Sequence, residues 1–124
     1  MAIRRILVID DDPDVCAMLK QYLTREGYAV ESAHTTQSAM SIVGQRRVDL
    51  IFLDVMLGEE SGFDVCKQLR ADNAVPIIFL SALSADHHRL TGYQMGGDDY
   101  IFKPFVAEEV LARMSAVFRR MSSG

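Results

Sequence analysis

A chain of 124 residues, 49% of them hydrophobic, is long enough to bury one proper core and too short for two domains of ordinary size. Thirteen Lys and Arg against seventeen Asp and Glu give a formal charge of −4, which excludes a domain that grips nucleic acid through a basic face of its own. No apolar run approaches the roughly 18 residues of a membrane span, and the run in the opening MAIRRILVIDDD is too short for a secretory leader.

The first apolar run, Ile6–Ile9 (ILVI), is continuous rather than alternating, as expected of a parallel strand buried on both faces. Asp12 and Pro13 then give a strong helix start, an N-cap followed by proline in the first turn. Val15, Met18, Leu19, Tyr22 and Leu23 keep helical spacing, and Gly27 closes the helix. A weaker strand at Tyr28–Ala33 precedes a helix from Thr36 to Val43, with Ala39, Ile42 and Val43 inward. The second continuous run, Leu50–Leu53 (LIFL), ends in Asp54, and Gly62–Arg70 follows as a helix with Phe63, Cys66 and Leu69 inward. The third run, Ile77–Leu80 (IIFL), ends in Ser81. A helix over residues 85–95 and a short strand at Tyr100–Phe102 come next. Val110, Leu111, Met114, Val117, Phe118 and Met121 then mark a last helix to the end of the chain. Met18, Met40, Met95 and Met114 suit gap-filling in a core. Cys16 and Cys66 stand far apart with no CxxC, so they read as small buried hydrophobes in a reduced, cytoplasmic setting.

Strands alternating with helices predict an α/β fold, a doubly wound open sheet whose sites form at the carboxyl ends of its strands. Asp10 and Asp11, Asp54, Ser81 and Lys103 each follow a predicted strand, so they should share one edge. Carboxylates gathered there repel one another unless a cation joins them. Mg²⁺ is a natural partner, since it takes one or two carboxylates plus a phosphate oxygen. With a lysine and a hydroxyl added, the set is equipped to move a phosphoryl group.

Four motifs carry a family resemblance: ILVIDDDP, LIFLDVMLGEESG, PIIFLSA and GGDDYIFKPF. Together and in this order they resemble the CheY-like receiver domain of two-component response regulators, from Arg4 to Arg120. The resemblance implies a flavodoxin-like sheet of five parallel strands, order 2-1-3-4-5, with five helices. It implies a receiver over residues 1–121, with residues 122–124 beginning a linker or a C-terminal tail. By the same resemblance Asp54 accepts a phosphoryl group from the phosphohistidine of a sensor histidine kinase. Mg²⁺ is held by Asp10, Asp11, Asp54 and the backbone carbonyl of Met56, Asp10 acting partly through water. Ser81 and Lys103 receive the phosphoryl oxygens, Tyr100 is the switch aromatic, and the Lys103-Pro104 bond is cis. Such a domain is a regulatory phospho-acceptor rather than an enzyme.

The sequence EEVLARMSAVFRR also resembles the end of receivers that precede a winged-helix DNA-binding output domain. In that class the face of the fourth helix, fifth strand and fifth helix pairs two receivers as a homodimer. Arg89, Asp98, Asp99, Glu109, Arg113 and Arg119 are the candidates here. Two residues depart from the family pattern. Gly58 replaces the usual proline and should loosen the loop after Asp54; Ser81 replaces the commoner threonine and keeps the hydroxyl.

Two other functions compete. Asp10-Asp11-Asp12 contains the DxD of haloacid-dehalogenase-like phosphohydrolases, with Asp10 as nucleophile, although Pro13 interrupts the motif and Asp54 is left unexplained. A receiver-like binding module that is never phosphorylated is the other. Plainer readings also apply: Asp12 and Asp14 as helix-start acids, His34 as an exposed strand-end residue, and Glu59 and Glu60 as a solvated loop.

Overall fold

The computed structural model describes residues 3–82, 94 and 96–123. Five parallel strands form the main sheet: β1 (Arg5–Ile9), β2 (Ala29–Ala33), β3 (Leu50–Asp54), β6 (Ile77–Ser81) and β7 (Asp99–Phe102), in the order β2-β1-β3-β6-β7. This is the expected 2-1-3-4-5 order once a small hairpin, β4 (Met56–Leu57) with β5 (Glu60–Ser61), is set aside. The sequence reading did not foresee that hairpin. The described helices are α1 (Pro13–Arg25), α2 (Thr36–Gln45), α3 (Gly62–Asp72) and α4 (Ala107–Ser123). The helix expected over residues 85–95, with Met95 and the interface candidate Arg89, lies outside the described residues except at residue 94. No helix among the described residues is long and apolar enough to cross a membrane.

The continuous apolar runs are explained by burial on both sides. Along each strand alternate residues point to opposite faces. Ile6, Val8, Leu50, Phe52, Ile78, Leu80 and Ile101 meet α1 and α4 through Leu19, Leu23, Val110, Met114 and Phe118. Leu7, Ile9, Ile51, Leu53, Ile77, Phe79 and Tyr100 meet α2 and α3 through Ala39, Val65, Cys66 and Leu69. Both cysteines are free and buried, one in each half of the core, as expected.

The helix caps follow the sequence. The Asp12 side chain accepts the Asp14 N–H at 2.9 Å at the start of α1, and Gly27 leaves the helix with φ +97°. Two inward assignments are corrected. Met18 is exposed, because the buried stripe of α1 runs through Cys16, Leu19 and Leu23 and turns Met18 outward. Met121 is also exposed, one turn beyond the last contact of α4 with the sheet through Val117 and Phe118.

Candidate functional site

Parallel register brings the polar residues to one rim. Asp54 pairs with Leu80 and Ser81 with Phe102, so the ends of β3, β6 and β7 lie side by side. Backbone bonds continue the ladder beyond the strands. Asp10 N–H donates to the Ala33 carbonyl at 3.1 Å, Val55 N–H to Leu80 at 3.0 Å, and Lys103 N–H to Ser81 at 2.6 Å. Four segments distant in sequence thus present Asp10, Asp54, Ser81 and Lys103 together.

Lys103 Nζ donates to Asp10 Oδ2 and to Asp54 Oδ2, each at 2.9 Å. Asp10 and Ser81 are fully buried and Asp54 is only 5% exposed. The opening to solvent is on the side of Asp11, which is exposed. Carboxylate oxygens of Asp10, Asp11 and Asp54 all lie within 4.8 Å of one another. An all-oxygen, acidic donor set fits a hard divalent cation such as Mg²⁺. The Lys103-Pro104 peptide is cis.

Burial raises the Asp10 carboxyl to about 6; the neighbouring Asp54 carboxylate adds to the rise, while Lys103 and the Asp12 N–H oppose it. Burial alone works against the Lys103 ammonium, but its bonds to Asp10 and Asp54 prevail and leave its pKa above the ordinary lysine value. The two directions are compatible. A buried acid with one shared cation remains short of positive charge, whereas a cation with two acids has partners to spare.

Asp12 uses its carboxylate to cap the start of α1, where it accepts the Asp14 N–H. Tyr100 is buried, its ring 6.1 Å from Phe79 and 5.2 Å from Phe102 between centroids. Of the interface candidates, Arg113 binds Asp99 through two contacts, 3.2 and 3.3 Å, and Glu109 at 3.2 Å. Arg119 is exposed on the same helix. Asp98 turns instead toward α3 and β6, where it accepts from Arg70 at 3.1 Å and from the Ile77 N–H at 2.8 Å.

The loop after Asp54, which Gly58 was expected to loosen, folds back on itself. It is the β4–β5 hairpin, and Gly58 donates its N–H to Asp11 Oδ2 at 3.0 Å. The chain after it also depends on glycine: a Cβ on Gly62 would sit 2.0 Å from the Asp54 carbonyl oxygen. His34 is exposed as expected, yet its Nδ1 lies 3.0 Å from the Asp10 carbonyl. These backbone contacts have no signature in residue type; only the GEESG spacing, glycines on either side of a polar run, hinted at a tight reversal.

The family model for the response regulator receiver domain matches residues 6–115. The chain belongs to that family. The transcriptional regulatory protein ResD of Bacillus subtilis is 41% identical over 118 residues, which are 95% of this chain and 49% of ResD. A two-component response regulator from Clostridium difficile superposes with a TM-score of 0.92 at 34% identity, covering 95% of this chain and 98% of its own. The BeF3-activated DrrB receiver domain superposes with a TM-score of 0.85 at 28% identity, covering 95% and 99%. The receiver spans about half the length of the curated relatives it matches.

Proposed function

We propose that this receiver domain is a phosphorylation-controlled signalling switch with Asp54 as its acceptor. A carboxylate oxygen of Asp54 attacks the phosphorus of a phosphohistidine on a partner kinase. The new P–O bond forms as the P–N bond breaks, and the imidazole leaves with the electron pair. Lys103, shared at 2.9 Å between Asp10 and Asp54, is the observation that carries this reading. It holds a positive charge beside the acceptor, where charge on the phosphoryl oxygens must be balanced. Asp10, Asp11, Asp54 and the Met56 carbonyl would hold Mg²⁺, which when bound supplies further neutralisation of those oxygens. Ser81, at the adjoining strand end, would donate its hydroxyl to the same group.

The output follows from Ser81 and Tyr100 on neighbouring strands. A shift of Ser81 changes the packing of Tyr100 and biases the face of β7 and α4, with the preceding segment, between two states. Asp99, Glu109, Arg113 and Arg119 lie there, suited to pairing with a second receiver, while Arg89 and Asp98 complete the expected set. In the whole protein, a cytoplasmic regulator, the partner of this face would be a homodimer mate or a C-terminal DNA-binding domain. The domain then acts as a regulator, catalysing only its own phosphoryl transfer and its loss.

Incubation with Mg²⁺ and acetyl phosphate, followed by intact-mass measurement, tests the reading. One added phosphoryl group is expected, absent in Asp54→Ala. A gain that persists in Asp54→Ala but disappears in Asp10→Ala would favour the phosphohydrolase instead, and no gain at all would favour a module that is never phosphorylated.

A further inference from the structure

The β4–β5 hairpin has two edges with different uses. On one edge Leu57 faces Glu60, and Val55, just before β4, accepts the Gly62 N–H at 2.7 Å. On the other, Met56 N–H donates to Asp54 Oδ1 at 2.9 Å and Gly58 N–H to Asp11 Oδ2 at 3.0 Å. Met56 and Gly58 stand two residues apart, so the pleat aims their N–H groups to the same side. One short strand edge therefore holds two acids that lie far apart in sequence.

Gly58 makes the second contact possible. It occupies the first central position of a two-residue turn with φ +61°, the signature of a type II′ hairpin turn. A proline there has no N–H and requires φ near −65°. The hairpin is anchored elsewhere too: the Thr36 hydroxyl donates to Glu60 Oε2 at 2.6 Å, and Gly62 lies against the backbone of Asp54.

We infer that this hairpin is a positioning element for the acid site, with Gly58 determining how firmly Asp11 is held for a divalent cation. Asp11 is exposed, and an untethered exposed carboxylate loses rotamer freedom when it binds. The Gly58 N–H fixes Oδ2 beforehand and leaves the other oxygen for the cation. The inference rests on Asp11 being a cation ligand, and the test separates the two ideas.

The full chain is titrated with Mg²⁺ and followed by amide NMR as wild type, Gly58→Pro, Asp11→Ala and the double variant. Gly58→Pro is expected to weaken binding by about 3- to 10-fold when Asp11 is present, and by less than about 2-fold in the Asp11→Ala background. Equal weakening in both backgrounds, or none, overturns the role of the hairpin while leaving the cation site intact. A wild type that does not bind Mg²⁺ overturns both. If the proline variant does not fold, hydrogen exchange at the Gly58 amide in EDTA decides. Exchange at least about 10-fold faster in Asp11→Ala than in wild type supports the contact, and an unchanged rate overturns it.

Discussion

Lys103 compensates two buried acids at once, and Asp10 bears the consequence. Its carboxyl, raised by burial to about 6, holds a proton more tightly in the folded chain than in the unfolded one, where it titrates near 4. That gain in stability is fully present below about pH 4 and is lost as the pH rises through about 6. Asn at this position mimics the protonated form at every pH. In EDTA, Asp10→Asn should therefore match wild type at pH 4 and exceed it by on the order of 2–3 kcal/mol at pH 7. Urea unfolding measures this, and equal stabilities at pH 7 would refute it. Added Mg²⁺ should reverse the order, since the carboxylate then has a further counter-charge. Cys16 is a quieter neighbour. Burial and the Asp10 carboxylate push its thiol up to about 11, so thiol reagents at neutral pH should label it only after unfolding.

At the scale of elements, glycine decides where the acceptor strand meets the next helix. Gly62 opens α3 directly against the end of β3, so close that its missing Cβ would overlap the Asp54 carbonyl. Gly62→Ala must therefore push the two elements apart. A loss of about 3 kcal/mol or more in unfolding free energy is expected, and phosphorylation of Asp54 should fall with it. Wild-type stability in this variant would show that the contact can yield. This element also shows what residue patterns reveal and what they hide. The strands were legible because burial on both faces leaves continuous runs such as IIFL, and the helices because LeuxxxLeu spacing survives in α1. The acids, lysine and serine were legible because each follows such a run. The hairpin was not: two-residue strands carry too few side chains to set a period, and their bonds are made by backbone atoms that every sequence possesses. The bonds of Asp98 were hidden for a related reason, since a charge in the sequence does not show that the fold provides Arg70 and a backbone N–H for it.

Across the whole molecule, the sheet lies between two halves of the described core, one under α1 and α4 and the other under α2 and α3. Leu19 lies in the half under α1 and α4, Leu69 in the half under α3, and both are buried. Each Leu→Ala change should cost about 2–5 kcal/mol. Together they should add to within about 0.5 kcal/mol, because no cavity is shared. Denaturant titration of the two single variants and the double variant checks this, and strong coupling would show that the sheet transmits repacking from one side to the other.

The ladder bonds that outlast the strands tie the loops of the rim to one another. The Ser81 carbonyl holds the Lys103 N–H at 2.6 Å, and the Leu80 carbonyl holds the Val55 N–H at 3.0 Å. In mechanical terms these loops form a single bar rather than independent fingers. Ser81 thereby has a direct backbone link to Lys103 and, through the pairing of its strand, to the edge strand beside it.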